Sequence, residues 1–501
     1  MMFKKALLFL AVLVGISSVT FADGEKETKG YNLQFKITGI PDKTCKLAYY
    51  FADKQYLKDT VIAQNGAFVF KGDETLPGGI YIIILPNNQF FELMIDQDQD
   101  FRMETDTTAY VGNMKVTGSE DNKLFYDYLK FINPKQKVSK ELRDEMDVIR
   151  KELDSLKKEN KKIDSTEFKS IKTKLEAIDE EVKNYKIDYM KKYPENILGK
   201  VFRTSKEVEI PEAPKLPNGK KDSTFAFKYY KSHFFDDIDF SDARLLRTPV
   251  FYSKIRQYLD KLTVQHPDSL ITASDFLSEK ARANAEVFKF IVQNITSHYE
   301  VEATKVVGLD AIFVHMVNKY YKTGQASWVD STVMAKIMKR AKTLEPLLLG
   351  KVAPNLVLPD IYTQQPYALH DVKADYTVAY FWDPTCGHCK KVTPKLYEWW
   401  LENRDKKKVA VYGVNTTVNQ QEIFDYLKEK PMDWIKVWDP YNTSKFRDLY
   451  DIYKSPEMYL LDKDKKIISK HIGVEDLDPL IKMWEKQQSQ KAIQIKPEEP
   501  E

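Results

Sequence analysis

Two cysteines, Cys386 and Cys389, stand three positions apart in the segment Phe381-Trp382-Asp383-Pro384-Thr385-Cys386-Gly387-His388-Cys389-Lys390. An apolar run over residues 376–382, rich in β-branched and aromatic side chains, leads into it, and a helix should leave it. A strand-to-helix junction puts the first cysteine at a helix N-terminus. There the unpaired backbone N–H groups and the helix dipole stabilise a thiolate. The thiolate is the attacking species in thiol–disulfide exchange. Cys386 is therefore the candidate nucleophile, and Cys389, one turn further on, the candidate resolving thiol. A zinc site would need a second Cys or His pair, and Cys45 lies in another predicted domain. Attachment of a c-type haem needs His directly after the second cysteine, and position 390 is Lys. A static disulfide is the plainest alternative. A single C-x-x-C in a strand–helix setting of an exported chain favours redox chemistry, with no cofactor beyond the Cys386–Cys389 disulfide and no metal.

Export is read from residues 1–22. Lys4 and Lys5 precede an apolar run from Ala6 to Val14, and Thr20-Phe21-Ala22 offers a cleavage site before Asp23. The alternative is a membrane anchor, since no charge interrupts the run before Asp23. The short apolar core and the small-residue end favour cleavage. The expected location is the periplasm or cell envelope, with the protein soluble after processing and disulfides able to persist.

The elements that must position the cysteines belong to the last of three predicted domains. Residues 23–119 carry strand signals: Leu33, Phe35 and Ile37 alternate with polar residues, Asn65-Gly66 marks a hairpin between residues 60–63 and 67–70, and Pro86-Asn87-Asn88 marks a second turn. An antiparallel β sandwich or barrel is expected there. Residues 120–349 should be helical. The seams Val138, Leu142, Met146, Ile149, Leu153, Leu156 and Ile171, Leu175, Ile178, Val182, Tyr185 suggest a helical hairpin over 136–192. An Asp164–Glu167 capping pair would start its second helix. A Pro-rich loop over 207–222 and further helices over 225–349 follow. Residues 350–486 alternate strand and helix, at 376–382, 408–414, 420–428, 457–462, 466–471 and 478–485, which predicts an α/β domain. Residues 487–501 read as a polar tail.

Residues 351–484 resemble the thioredoxin-fold domain of TlpA-like bacterial thiol-disulfide oxidoreductases, relatives of the AhpC/TSA group. The likeness is carried by Ala353-Pro354, Phe381-Trp382, the Cys-Gly-His-Cys motif, Pro394, Ser455-Pro456 and Gly473. It implies a protein disulfide oxidoreductase with Cys386 and Cys389 catalytic. Trp382, Gly387, His388 and a cis Pro456 are in support. Implied partners are protein thiols and disulfides, with a membrane thiol-electron donor as a further candidate. The direction of electron flow stays open, since Cys-Gly-His-Cys also occurs in protein disulfide isomerase. The buried Asp of thioredoxins is replaced by Tyr380, which leaves the proton acceptor for Cys389 unassigned. The arrangement ahead of this domain resembles that of Bacteroidota envelope proteins with uncharacterised N-terminal domains. A binding or scaffold protein, with residues 23–349 recognising a partner, is the competing reading.

Other features carry less. The chain of 501 residues has a formal net charge of +3, which gives no basic excess for nucleic acid. Asp96 to Asp100 resembles a calcium loop, but Phe101 stands where Gly is required, so a polar turn is expected. Cys45 reads as a small buried side chain. His233, His266, His298 and His315 lack metal-ligand spacing, and Asn294, Asn415 and Asn442 fit N-x-Ser/Thr.

Overall fold

A computed structural model describes residues 30–158, 166–302 and 305–495. The expected signal peptide, the Asp164 cap and residues 496–501 lie outside them. The chain divides into two compact units: residues up to 205 with 244–250, and residues 206–243 with those from 251 onward.

The first unit holds two four-stranded sheets. Its strands are β1 (Tyr31–Thr38), β2 (Thr44–Phe51), β3 (Lys54–Ile62), β4 (Ala67–Gly72), β5 (Gly79–Ile84), β6 (Phe90–Ile95), β7 (Asp100–Asp106) and β8 (Lys115–Thr117). The orders are β4-β1-β7-β8 and β3-β2-β5-β6. Leu33, Phe35 and Ile37 from one sheet and Leu47, Ile83 and Leu93 from the other share one core, as the alternating pattern requires. Two expectations change. The pairing is not wholly antiparallel: β1 and β7 run parallel, because the chain builds the second sheet before returning beside its first strand. The Asn65-Gly66 turn forms, with φ of 50° and 75°, but β3 and β4 then part into different sheets. The turn residues set a tight reversal, while burial of Phe68 and Phe70 against β1 decides the partner.

Helix α1 (Glu120–Lys158) begins well before residue 136 and runs through Pro134. Phe125, Tyr126 and Ile132 anchor its first half in the β core, which offsets the lost backbone bond. Helix α2 (Thr166–Lys192) packs back along it: Phe131 stacks on Tyr185 at 4.1 Å, and Lys135 pairs with Glu181 at 2.7 Å. Val138 is exposed, so the seam starts at Leu142 rather than at Val138. Helix α3 (Ile197–Ser205) closes the unit.

The second unit joins helices to an α/β domain. The helices are α4 (Phe225–Ser232), α5 (Pro249–Lys261), α6 (Pro267–Ala281), α7 (Ala285–Glu302), α8 (Asp310–Met316) and α9 (Ser331–Leu344). Strands β9 (Val357–Pro359) and β10 (Pro366–Ala368) form a small hairpin. The central sheet has the order β13-β12-β11-β14-β15, built from β11 (Tyr376–Trp382), β12 (Val409–Asn415), β13 (Ile435–Trp438), β14 (Glu457–Asp462) and β15 (Ile467–Lys470). β11, β12 and β13 are parallel; β14 and β15 are antiparallel additions. Helices α10 (Gly387–Asn403), α11 (Gln420–Glu429), α12 (Phe446–Leu449) and α13 (Leu477–Ile495) complete it. The short strand β13 escaped the sequence reading, because Ile435, Val437 and the flanking tryptophans give too brief an apolar run. The last helix does not stop at residue 485: it continues through Ile495, where a polar tail was expected from residue 487. A helix with one covered end can extend into solvent on polar residues of good propensity. Among the described residues no helix is long and apolar enough to cross a membrane.

Candidate redox site

The parallel strands deliver their C-terminal ends, and β14 its N-terminal end, to one edge of the central sheet. Cys386 sits at this edge as the N-cap of α10, with extended backbone at φ −68° and ψ 122°. It is partly exposed, whereas Cys389 is 1% exposed; both are free thiols. Partial burial would raise the Cys386 thiol, but hydrogen bonds outweigh it. The backbone N–H groups of Cys389 and His388, the Cys389 thiol and Ser455 together hold the group below the ordinary value of 9.0. The Ser455 carbonyl lies 3.4 Å from Cys386 Sγ. Burial acts the other way on Cys389 and pushes it up to about 12. The two sulfurs are thus shifted in opposite senses: the partly exposed one toward the thiolate, the buried one toward the protonated thiol, the asymmetry that thiol–disulfide exchange can use.

The supporting residues divide. Trp382 is fully buried, with its ring 5.3 Å from that of Tyr426. Pro456 follows Ser455 through a cis peptide, as the resemblance implied. His388 contributes its backbone N–H, while its imidazole is exposed. At Gly387 a Cβ would meet nothing within 4 Å, so the backbone does not require glycine there.

Beneath the cysteines Tyr380 is fully buried and shares a 2.8 Å hydrogen bond with Thr393 Oγ1. Burial raises its phenol far above the ordinary range, so it stays neutral. Asp383 is turned the wrong way for a base. Its N–H donates to Cys389 Sγ at 3.3 Å, while its carboxylate accepts from Thr385 N at 2.7 Å and Thr385 Oγ1 at 2.6 Å.

Two ion pairs and one hydrogen bond near this edge were missed from sequence: Arg340 with Asp451 and Lys470 with Asp310 as ion pairs, and His471 with Glu457 as a hydrogen bond. Polar residues abutting apolar strands were their only signal. The remaining candidates are not at the site. Cys45 is fully buried, and burial pushes its thiol up to about 11. Asp96 pairs with Arg244, and Asp98 accepts from Glu120 N at 3.1 Å. His315 bonds Asp275, 40 residues away, and His233 bonds its near neighbour Asp236. Among the described residues no cluster of His, Cys, Asp or Glu could hold a metal.

A five-stranded mixed sheet with a surface cysteine capping the first helix and a buried one a turn below defines a thioredoxin-type dithiol domain. Comparison with known proteins agrees. Residues 349–470 match the AhpC/TSA family, residues 31–125 a domain of unknown function (DUF4369), and residues 154–344 a second one (DUF5106). A crystallised domain from Cytophaga hutchinsonii, described as a possible thiol-disulfide isomerase, is 45% identical over 29% of this chain and 98% of its own, with a TM-score of 0.28. The C-terminal domain of a Bacteroides thetaiotaomicron protein described as a thiol-disulfide oxidoreductase is 27% identical over 27% and 93%, with a TM-score of 0.25. The thiol-disulfide oxidoreductase ResA of Bacillus cereus is 25% identical over 27% of this chain and 76% of its own. The C-terminal part of the chain thus carries an AhpC/TSA-type domain with a thioredoxin-like fold, and curated relatives of that part are named thiol-disulfide oxidoreductases.

Proposed function

We propose that the protein is an exported thiol-disulfide oxidoreductase acting on protein substrates through Cys386 and Cys389. The opposed pKa shifts of the two thiols at one helix N-terminus carry this reading.

In the reducing direction the Cys386 thiolate attacks one sulfur of a substrate disulfide. The substrate S–S bond breaks, a Cys386–substrate disulfide forms, and the departing substrate sulfur takes a proton. Cys389 then loses its proton and attacks Cys386 Sγ. The mixed disulfide breaks, the second substrate sulfur leaves as a thiol, and the Cys386–Cys389 disulfide holds the two-electron oxidation. A dithiol donor restores the pair by the same exchange. In the oxidising direction the steps reverse, with a substrate thiolate attacking Cys386. Formation of the Cys386 thiolate lowers the cost of the first step. Its effect on Cys389 is to place a negative neighbour beside a buried thiol, which raises it further. Conversion of Cys386 to a mixed disulfide removes that charge and eases loss of the Cys389 proton.

Turnover of insulin disulfides with dithiothreitol as donor tests the reading. Cys386→Ser abolishes turnover. Normal turnover by that variant removes the proposal.

A further inference from the structure

The loop that touches Cys386 is gripped by the helical part of the second unit. Ser455, whose carbonyl lies 3.4 Å from Cys386 Sγ, sits in the stretch that leads into β14. Asp451, at the start of that stretch, has a left-handed backbone with φ of 54°. A non-glycine residue there is strained and persists only where its surroundings hold it. Asp451 is almost fully buried, and its carboxylate pairs with Arg340 of α9. Arg340 also interacts electrostatically with Tyr453, which is 76% exposed on the same loop.

The other side of the loop is held through β15. Lys470 and Asp310 form an ion pair with both side chains 4% exposed. Lys470 Nζ donates to Asp310 Oδ2 at 2.5 Å and to the Leu347 carbonyl at 2.8 Å. Asp310 opens α8, and Leu347 follows α9. The next residue, His471, has Nδ1 2.8 Å from Glu457 Oε2 and donates its backbone N–H to the Met458 carbonyl at 2.9 Å. Glu457 directly follows Pro456. The path from α8 to the cysteine is thus Asp310, Lys470, His471, Glu457 and the Ser455-Pro456 pair.

We propose that Arg340 and Asp310 are positioning residues for the redox site: they fix the stretch Asp451–Glu457, along which a protein disulfide must lie to reach Cys386. This rests on the redox reading above. A small disulfide needs only the sulfur. A protein segment must also run past Tyr453, Lys454 and Ser455, so it depends on where the loop is held. The helical part thereby acts on substrate docking without touching the reacting atoms.

The test uses the full chain with dithiothreitol as donor and two probes, insulin and the small aromatic disulfide dithiobis-nitrobenzoate. Arg340→Met raises KM for insulin about threefold to thirtyfold, the range seen for residues that couple through a network. Its kcat for insulin and its turnover of the small disulfide stay within about twofold of the parent. Arg340→Lys, which keeps the charge, recovers much of the KM. Asp310→Asn shifts KM in the same sense. An unchanged KM in Arg340→Met, or equal losses on both probes, overturns the inference. A parent chain that turns over neither disulfide removes the redox reading itself, so the two failures are distinguishable.

Discussion

Lys470→Met should be among the most damaging single substitutions outside the cysteines. Its ammonium and the Asp310 carboxylate are each almost fully removed from water, and the second oxygen of Asp310 is buried without a hydrogen-bond partner among the described residues. Removal of Lys470 leaves that carboxylate buried and uncompensated, which costs about 3–5 kcal/mol. With a urea slope of ~3 kcal/mol/M, the midpoint falls by about 1–2 M. All seven tryptophans lie in the second unit, so tryptophan fluorescence during urea unfolding reports on that unit alone. The double variant Lys470→Met, Asp310→Leu removes both charges and should regain most of the loss, since apolar replacement of a buried pair is often neutral or stabilising. A midpoint shift in Lys470→Met below about 0.3 M would mean that water reaches the pair and that the burial argument is wrong. A double variant no better than the single one would show that shape, and not charge, governs the site.

Alkylation of Cys386 by iodoacetamide should rise with a midpoint below pH 9.0, while Cys389 stays unreactive until close to pH 12; mass mapping across pH checks both. The lowered Cys386 value also sets a sign for stability. The folded thiolate binds fewer protons than the unfolded chain, so reduced protein gains stability as pH rises from the folded value to 9.0 and loses it on the way down. Cys386→Ser should flatten that dependence in urea unfolding. Gly387→Ala should be neutral or stabilising by about 0.5 kcal/mol, because its Cβ meets nothing and alanine favours the helix. Gly66→Ala should destabilise instead: φ is +75° and the Cβ would fall 2.3 Å from the Ile37 carbonyl. The reduction potential of the pair should lie between about −270 and −180 mV, and His388→Pro should lower it; equilibration with glutathione measures both.

Much of the site could be read from the chain, because its signals are local. The apolar run over residues 376–382, the cysteine spacing and Ser455-Pro456 each specify their own element, and the structure brings them to one sheet edge. What could not be read depends on pairing between distant segments. Nothing near Asn65-Gly66 announces that β3 and β4 join different sheets, and nothing near Arg340 announces Asp451. The length of α1 was hidden for a related reason. Pro134 and a charged surface argue locally for a break, while Phe125, Tyr126 and Ile132 find their reward only against the folded β core. The extension of α13 past residue 485 shows the reverse limit: a polar composition marks exposure, not absence of helix.

The division of labour between the two thiols is the centre of this account, and trapping tests it most directly. Reduced Cys389→Ser protein is mixed with insulin, quenched with acid and mapped by mass spectrometry. A mixed disulfide should form at Cys386, with none in the Cys386→Ser variant. Adducts of equal yield in the Cys386→Ser variant, at Cys389 or Cys45, would contradict that division of labour.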